Sequence, residues 1–261
     1  MLGNRVALVT GAGQGIGKAI AVALAQAGAD VVVNDLSLEV LEDTVEAVRA
    51  FGCKALALVA DVSDRDAVRR MIGITVEHFG HVDVVVSNAG WNERQLVVDA
   101  DWETVQRVIA VHQFGMFHLC QAAAQQMIQQ DFSGTNIVII GSVHADVPFA
   151  HNAAYAMSKA AAVQFGKVLA KELAPHGVRV NVIQPGWTDT PGERRFLNEA
   201  SLQEGGKQLP LGRLADAAEV AAAVVFVASE QASYITGSVI DVDGGFKIAV
   251  DRLVPQDGCG N

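Results

Sequence analysis

Cysteine is scarce in this sequence, and the few cysteines lie far apart. Cys53, Cys120 and Cys259 form no CxxC pair in a chain of 261 residues. Disulfide frameworks and structural metal centres need clustered cysteines, so the three are predicted to be free thiols in a reducing cytosol. The histidines add no metal-ligand spacing, since His112 and His118 are not at i, i+4 on their helix. We therefore predict no catalytic metal.

The chain also lacks a long hydrophobic run, a leader-like N-terminus and an excess of positive charge. The longest apolar run near the C-terminus, Val220–Ala228, is far shorter than the roughly 18 residues that a membrane-spanning helix requires. Residues 1–5 lead directly into a predicted strand, without a charged and then apolar leader. A net charge of −10 argues against nucleic acid or anionic lipid as a partner. These absences predict a cytoplasmic protein with a small-molecule partner.

The sequence is rich in apolar residues, which suits a sheet that helices cover on both faces. Hydrophobic residues make up 51% of the chain and charged residues 18%. Strand-like apolar runs alternate with helical patterns. The predicted strands are 5–10, 30–34, 53–60, 83–87, 135–141, 179–184 and 238–242, and the predicted helices are 16–27, 38–51, 64–79, 101–129, 153–174 and 216–228. This alternation predicts a single α/β domain, residues 1–245, with a doubly wound parallel sheet of about seven strands.

Two segments do not follow the alternation. Residues 186–213 contain several Gly and Pro residues and come after a strand end, where ligands bind in open α/β sheets. An irregular segment of this length is usually functional or disordered, so we predict a substrate-side lid. Residues 246–261 are predicted to be a tail, either a frayed terminus or a subunit contact.

A glycine-rich turn, Thr-Gly-Ala-Gly-Gln-Gly-Ile-Gly at 10–17, lies between the first strand and the first helix. Gly11 permits the tight turn, while Gly15 and Gly17 let the helix begin close to a ligand and to the sheet. The amides at the helix N-terminus then face a pyrophosphate. The strand, turn and helix together predict a dinucleotide site, whose residues here are Gly11, Gln14, Gly15, Ile16 and Gly17.

The second predicted strand ends at Asn34-Asp35. A carboxylate at this strand end hydrogen-bonds the adenosine ribose hydroxyls and repels the 2′-phosphate of NADP. Gln14 and Leu36 offer no cation to that phosphate. The sequence therefore predicts NAD as the cofactor; the alternative interpretation of Asp35 is a solvated turn residue.

Two further turns follow predicted strands on the same side. Asp61-Val62 comes after the third strand, and Asn88-Ala89-Gly90 comes after the fourth. A small Asn-Ala-Gly turn lets the backbone approach a flat ligand closely. Because both turns lie at carboxyl strand ends, we predict that Asp61, Val62, Asn88, Ala89 and Gly90 bind the cofactor.

Tyr155 and Lys159 are four residues apart on a predicted helix, so their side chains share one face, one turn apart. An ammonium near a phenol favours the phenolate, so the tyrosine could exchange a proton well below its reference pKa of about 10. Such a tyrosine can take the proton of an alcohol that loses hydride to a cofactor, and Ser142 can hydrogen-bond the developing carbonyl.

These residues together resemble the short-chain dehydrogenase/reductase family, from Val6 to about Gly245. The motifs that carry the resemblance are residues 10–17, Asp61, Asn88–Gly90, Ser142, Tyr155 with Lys159, Asn181 and Pro185-Gly186. The resemblance implies a Rossmann-type sheet, a nicotinamide cofactor, hydride transfer and a homodimer or homotetramer. In such an oligomer the helices 101–129 and 153–174 would pack across a twofold axis.

The resemblance also implies the roles of individual residues. Ser142 positions the substrate oxygen and Tyr155 is the acid/base. Lys159 binds the nicotinamide ribose and lowers the pKa of the tyrosine. The nicotinamide ring and its carboxamide are held by Pro185, Gly186, Thr188 and Thr190.

One residue departs from the family pattern, which has an asparagine in the stretch Asn-x-x-Gly-x-Phe of the long fourth helix. This chain has His112 at that position. In the family the asparagine is thought to hold a water that links the lysine to solvent as a proton relay. Histidine can donate and accept protons, and its reference pKa is about 6.5. One hypothesis makes His112 a working relay with an altered pH profile; the other makes it a space-filling residue that impairs the relay.

The substrate pocket is expected after the fourth, fifth and sixth strands. Its candidate residues, any of which could instead be a solvated loop residue, are Trp91, Glu93, Arg94, His144, Phe149, His151, Trp187, Glu193 and Arg194. This mixture suits a polar, hydroxylated substrate better than a fatty chain, and the contacts we predict are Ser142, His144, Trp91 and Trp187. The segments Ser142-Val143-His144, with Pro148 nearby, and Thr190-Pro191 resemble bacterial glucose 1-dehydrogenases. Similar segments occur in acyl-carrier-protein reductases.

The sequence therefore predicts an NAD-dependent dehydrogenase of a secondary alcohol, such as a sugar or polyol. Ser142, Tyr155 and Lys159 favour an enzyme, because a silent protein has no need of the three together. The alternatives are a 3-oxoacyl or carbonyl reductase of the same family, and a silent NAD-binding protein. Asp35 weighs against the reductase, since NAD usually serves oxidation, and His112 alone favours the silent protein.

Overall fold

Seven strands form one parallel sheet, which confirms the predicted fold class. The computed structural model of the chain describes residues 1–130 and 132–253. The strands are β1 (Val6–Thr10), β2 (Asp30–Asp35), β3 (Ala55–Val59), β4 (Val84–Ser87), β5 (Asn136–Ile140), β6 (Arg179–Pro185), the short β7 (Thr188–Asp189) and β8 (Ala215–Asp216), and β9 (Val239–Val242). The sheet has the order β3-β2-β1-β4-β5-β6-β9, and β7 pairs with β8 outside it.

The apolar strands are explained by burial on both faces of the sheet. All five residues of β1 are buried, and successive side chains point to opposite faces. Leu8 belongs to one apolar cluster, whereas Ala7 and Val9 belong to the cluster on the other face. Two apolar layers thus cover one parallel sheet, which requires strands without a polar face.

Eight α-helices surround the sheet in the part of the chain that the structure describes. They are α1 (Gly15–Gln26), α2 (Glu39–Arg49), α3 (Arg65–Phe79), α4 (Trp102–Ile109), α5 (Met116–Gln130), α6 (Ala153–Leu173), α7 (Glu199–Lys207) and α8 (Ala217–Ala228). Helices α1 and α8 pack together on one face, and α3 packs with α5 on the other. Asp64 and Asp216 cap α3 and α8 by accepting hydrogen bonds from amides of the first turn. The carboxyl ends of the strands lie together at one edge of the sheet, and the loops that lead from the strands into the helices are at this edge.

The helix predicted over 101–129 is not one regular α-helix. Between α4 and α5, residues Ala110–Gly115 form a π-helical segment that contains His112. One wider turn shifts the register of the backbone hydrogen bonds without ending the helix. The apolar pattern of the sequence therefore continues through the π-helical segment. Short π-helical segments inside α-helices are frequent at functional sites.

The segment predicted to be irregular, 186–213, is largely ordered. It contains β7, a 3₁₀ turn at Glu193–Arg195 and helix α7, whose N-terminus Asn198 caps. Arg194 stabilises it by pairing with both Asp189 and Glu199. Gly and Pro residues interrupt this segment so often that the short strand, turn and helix between them were not predicted from the sequence.

The predicted tail begins with a 3₁₀ helix, Phe246–Leu253, and the rest of it, with Cys259, lies outside the described residues. Within residues 1–130 and 132–253, no helix is long and apolar enough to cross a membrane.

Candidate active site

The loops that follow the parallel strands surround one cleft of about 880 Å³. It lies at the carboxyl ends of the strands, as expected for an open α/β sheet. The predicted catalytic residues, the predicted cofactor residues and the four predicted substrate contacts all line it: Gly11, Gln14, Gly15, Ile16, Gly17, Asp35, Asp61, Val62, Asn88, Ala89, Gly90, Trp91, His112, Ser142, His144, Tyr155, Lys159, Pro185, Gly186, Trp187, Thr188 and Thr190. The chain brings these residues together from eight separate segments.

The glycine turn is packed so closely that two of its glycines have no room for a side chain. A Cβ atom on Gly17 would lie 2.0 Å from the carbonyl oxygen of Gly11. Gly11 has a φ of +64°, and a Cβ there would lie 2.8 Å from the Cα of Ala89. The turn therefore brings the start of α1 directly against the ends of β1 and β4.

The N-terminus of α1 has the properties of an anion site. Gln14 stands at the N-cap, but its side chain makes no capping hydrogen bond to the helix. The amides of the first turn lie in the cleft wall with Gly15 and Ile16. Uncapped amides at the positive end of a helix dipole bind phosphate groups, so this end of the cleft fits the pyrophosphate of a dinucleotide.

Asp35 faces the cleft beside this turn and is held by the backbone. Its two carboxylate oxygens accept hydrogen bonds from the amides of Gly13 at 3.0 Å and Leu36 at 2.8 Å. Each oxygen keeps a further lone pair, so the carboxylate can also accept a ribose hydroxyl.

Two other predicted cofactor residues have structural contacts of their own. The side-chain amide of Asn88 donates to the carbonyl oxygens of Thr10 and Gly11, at 2.9 and 3.1 Å. Asp61 accepts hydrogen bonds from the amide and hydroxyl of Ser63. Asn88 thus ties the end of β4 to the glycine turn and shapes the cleft between them.

Ser142, Tyr155 and Lys159 meet at the other end of the cleft. Ser142 follows β5, and its hydroxyl accepts a hydrogen bond from the amide of His144 at 3.2 Å. Lys159 is buried on α6 and donates from Nζ to the carbonyl oxygen of Ile140 at 2.7 Å. The ammonium lies 5.5 Å from the centre of the Tyr155 ring. Helix α6 therefore presents the tyrosine and the lysine on one face, as their spacing predicted.

Burial dominates the acid–base properties of this group. It raises the pKa of Tyr155 to about 12, whereas a hydrogen bond from Ser142 acts in the opposite direction and Glu193 adds to the increase. Burial also lowers the pKa of Lys159 to about 8. Burial is thus the largest influence on the pKa of Tyr155, larger than the hydrogen bond from Ser142.

His112 is buried behind Tyr155 in the π-helical segment. Its Nε2 atom lies 2.8 Å from the carbonyl oxygen and 3.1 Å from the amide nitrogen of Trp91. The imidazole is edge-on to the Tyr155 ring, with 5.1 Å between the centroids. Burial and then the charge of Lys159 lower the pKa of His112 to about 3, so the imidazole is neutral near pH 7.

Aromatic side chains form the wall beyond Tyr155. The His144 ring lies edge-on to Tyr155 at 5.1 Å and against Phe149 at 4.2 Å, and Phe149 lies 5.6 Å from Phe246. Burial, followed by the charges of Lys159 and Arg94, lowers the pKa of His144 to about 4. The sequence did not predict Phe246 as a site residue. The available signal was its position directly after Gly244 and Gly245, which follow β9.

The remaining substrate candidates separate into two groups. Arg94, Phe149, His151 and Glu193 line the cleft, whereas Glu93 and Arg194 do not. Arg194 instead forms ion pairs with Asp189 and Glu199. Besides Phe246, the sequence missed several lining residues that come from the same loops as the candidates: Asn92, Asn152, Arg195, Phe196 and Leu197.

No group of three or more His, Cys, Asp or Glu side chains within 1–130 and 132–253 is arranged to hold a metal ion. Cys53 and Cys120 are free thiols. Burial raises the pKa of Cys120 to about 12, so this thiol stays protonated and unreactive.

Comparison with known proteins gives matches over nearly the whole chain. Residues 11–247 match the family model described as enoyl-(acyl carrier protein) reductase. The chain is 37% identical over 247 residues to a 3-oxoacyl-[acyl-carrier-protein] reductase of Thermotoga maritima, covering 95% of this chain and 99% of that protein. It is 36% identical over 254 residues to glucose 1-dehydrogenase 2 of Bacillus subtilis, covering 97% and 98%.

Solved structures show the same fold with either nicotinamide cofactor. An NAD+-bound xylitol dehydrogenase superposes with a TM-score of 0.87 at 31% identity, covering 94% of this chain and 99% of that one. A short-chain dehydrogenase from Burkholderia cenocepacia in complex with NADP also gives a TM-score of 0.87, at 34% identity and the same coverage. These similarities identify the fold and the class of cofactor, but they do not distinguish NAD from NADP.

Proposed function

The chain belongs to the short-chain dehydrogenase/reductase family of oxidoreductases, and we propose that it is an NAD-dependent dehydrogenase of a secondary alcohol, such as a sugar or other polyol. The observation that carries this proposal is the meeting of Ser142, Tyr155 and Lys159 in the cleft that also contains the uncapped N-terminus of α1. A proton acceptor and an anion site at two ends of one cleft suit a dinucleotide and an alcohol side by side.

In the proposed reaction the substrate alcohol loses a proton to the protein and a hydride from its carbinol carbon. When bound, oxidised nicotinamide accepts that hydride, and its positive charge favours the tyrosine phenolate. Ser142 donates a hydrogen bond to the substrate oxygen, and Tyr155 takes the hydroxyl proton. Lys159, held by the carbonyl oxygen of Ile140, keeps a positive charge close to the phenol. Pro185, Gly186, Thr188 and Thr190 are the residues proposed to hold the nicotinamide.

The choice of NAD rests on Asp35. Its carboxylate is fixed by two amides at the end of β2 and lines the cleft beside the glycine turn, where we propose that the adenosine ribose binds. A fixed negative charge at this position repels a 2′-phosphate. Gln14 and Leu36 line the same part of the cleft and carry no positive charge that could compensate.

For His112 we favour a positioning role over a relay through a charged imidazolium. A pKa of about 3 leaves the ring neutral in the range where dehydrogenases work. Its contacts join the loop of Trp91 to the ring of Tyr155. In this role His112 packs behind Tyr155 and determines how far the ring of the reacting tyrosine extends into the cleft.

Other predictions concern the assembly and the location of the protein. Large apolar side chains are exposed on three adjacent helices: Trp102 on α4, Phe117 on α5 and Met157 on α6. A second copy packed across a twofold axis would cover them, so we propose a homodimer or homotetramer through α4, α5 and α6. The cytoplasmic location stays a prediction.

The second candidate, a reductase of 3-oxoacyl or other carbonyl groups, uses the same residues in the reverse direction. The similarity to a 3-oxoacyl-[acyl-carrier-protein] reductase favours it. Asp35 opposes it. Arg94, Glu193 and His144 in the wall of the cleft also oppose it, because they suit a hydroxylated substrate better than an acyl chain.

The test is NADH formation by the purified protein with a panel of sugars, polyols, hydroxysteroids and simple secondary alcohols, with NADP in parallel. Tyr155→Phe should abolish turnover. Tyr234→Phe is the matched control, because it removes the same hydroxyl from a fully exposed tyrosine. Tight NAD binding without turnover of any alcohol, or of any ketone with NADH, would instead indicate the silent binding protein.

A further inference from the structure

An ion pair joins the two sides of the substrate end of the cleft. Arg94 lies in the loop after β4, and Glu193 begins the 3₁₀ turn of the segment between β6 and α7. Nη2 of Arg94 and Oε2 of Glu193 are 3.2 Å apart. The guanidinium also lies over the ring of Phe196, 4.3 Å from its centre. The pair therefore spans the cleft between two loops that are distant in sequence.

Both charged groups act on the reacting residues. The negative charge of Glu193 contributes to the raised pKa of Tyr155, and the positive charge of Arg94 contributes to the lowered pKa of His144. The geometry agrees, because Arg94 and Glu193 line the same cleft as Tyr155 and His144. A substrate larger than a simple alcohol that reaches Tyr155 from this end of the cleft can therefore also contact the pair.

The pair keeps hydrogen-bonding capacity toward the cleft. The side chains of Arg94 and Glu193 are 32% and 31% exposed, and both line the cleft. A guanidinium has five N–H donors and a carboxylate about four acceptor sites, so one contact between them leaves most of these groups unused. A donor and an acceptor are thus presented side by side.

We propose that Arg94 and Glu193 form a recognition site for a further hydroxyl group of a neutral polyol substrate. The carboxylate accepts from the hydroxyl proton, and the guanidinium donates to the hydroxyl oxygen. A single hydroxyl satisfies both partners at once, which a ketone, an alkyl group or a carboxylate does not. This inference rests on the proposed function and defines its substrate class.

Charge balance supports a neutral ligand over an acid. The guanidinium is already neutralised by Glu193, so an anionic group would have to displace that carboxylate and remain close to it. An alkyl or acyl chain would bury the pair without replacing its hydration, which costs free energy. A hydroxyl group avoids both penalties, because it is neutral and can donate as well as accept.

The inference is tested with the wild-type protein, cyclohexanol and vicinal cyclohexanediol (cis and trans isomers) as substrates. The better diol should exceed cyclohexanol in kcat/KM by about 10- to 100-fold, as expected for hydrogen bonds to charged groups. Arg94→Met should reduce this ratio to near one, while Arg94→Lys and Glu193→Gln should keep part of it. Lys207→Gln, which removes an exposed positive charge on α7 paired with Glu204, is the control in the same segment, and it should leave the ratio unchanged.

A third substrate, a hydroxycyclohexane carboxylate, tests the charge argument. Wild-type protein should use it less well than the diol, and Glu193→Gln should improve its kcat/KM by about 10-fold or more, because Arg94 then lacks a counter-charge. The inference would be overturned if the wild type used the diol and cyclohexanol equally well, or if Arg94→Met left their ratio unchanged. Either result would leave the proposed dehydrogenase activity unaffected.

Binding to the inactive Tyr155→Phe protein separates the inference from the proposed function. Trp91 and Trp187 line the cleft, so their fluorescence reports its occupancy. With NAD present, the diol should quench this fluorescence at lower concentration than cyclohexanol, and the added Arg94→Met substitution should remove the difference. This result supports recognition of the second hydroxyl by Arg94 and Glu193 even if the protein oxidises no alcohol. Identical binding of both compounds would contradict it.

Discussion

The Nε2 atom of His112 lies 2.8 Å from the carbonyl oxygen of Trp91 and 3.1 Å from its amide nitrogen. One nitrogen cannot donate and accept at the same time, so the neutral ring bonds to one or the other according to its tautomer. The π-helical segment Ala110–Gly115 places the imidazole at this backbone and edge-on to Tyr155. The histidine thereby connects the helix, the loop after β4 and the reacting tyrosine.

The buried neutral His112 should make the protein sensitive to acid. Its pKa is about 3 in the folded protein, below the value of about 6.5 expected when unfolded, so the unfolded chain binds the extra proton first. Stability should fall as pH decreases from about 6.5 towards 3, at about 1.4 kcal/mol per pH unit, or about 3 kcal/mol by about pH 4.5. Urea unfolding of wild type and His112→Asn at neutral and acid pH measures this. The variant should lose less stability on acidification, and equal losses would contradict the burial of a neutral imidazole.

The neutral state of the His112 imidazole also determines how its replacement should affect the pH dependence of the reaction rate. A positioning residue that does not titrate between pH 5 and 9 should leave the shape of the pH–rate profile unchanged when it is replaced. His112→Asn should therefore reduce kcat without moving either limb of the profile of kcat against pH. A limb that shifts by one unit or more would instead support the relay hypothesis.

Asp35 should determine the preference for NAD. Asp35→Asn keeps one oxygen, which can accept from one of the two amides of Gly13 and Leu36, and it removes the charge that repels a 2′-phosphate. The ratio of kcat/KM for NAD to that for NADP should fall by about 10- to 100-fold. Asp43→Asn, an exposed change on α2 paired only with Lys18, is the control. An unchanged ratio in Asp35→Asn would mean that another group selects the cofactor.

Gly17 should tolerate no side chain. Gly17→Ala would put its Cβ 2.0 Å from the carbonyl oxygen of Gly11, so the start of α1 must move away from β1. We expect loss of NAD binding and a fall in stability of several kcal/mol, measured by calorimetric titration and urea unfolding. Gly73→Ala is the matched control, since nothing lies within 4 Å of a Cβ at this position on α3, and alanine there should stabilise by about 0.5–1 kcal/mol. Similar effects of both changes would contradict the close packing of the turn.

The parts of the molecule that depend on local pattern could be predicted from the sequence. The strands of a parallel sheet are apolar throughout, and the turn at 10–17 has glycines because the backbone must approach closely. Tyr155 and Lys159 share a face because helical geometry requires it. These features are encoded within a few residues of one another, so they are visible without tertiary contacts.

The features that depend on contacts between distant segments could not be predicted. His112 contacts the backbone of Trp91 in the loop after β4, and the Arg94–Glu193 pair joins loops about a hundred residues apart. The pKa of Tyr155 was expected to be low because Lys159 is near, but burial is the larger effect and raises it. Spacing in the sequence indicates which groups are close, whereas the balance of burial and charge requires the whole surroundings.

The most direct test of the central claim follows the hydride itself. A secondary alcohol that the panel identifies is prepared with deuterium on its carbinol carbon and incubated with the protein and NAD, and the reduced cofactor is analysed by mass spectrometry. The account predicts reduced cofactor that carries one deuterium from the substrate, formed by wild type and by Tyr234→Phe but not by Tyr155→Phe. Reduced cofactor without deuterium, or deuterium transfer that Tyr155→Phe leaves at the wild-type rate, would contradict it.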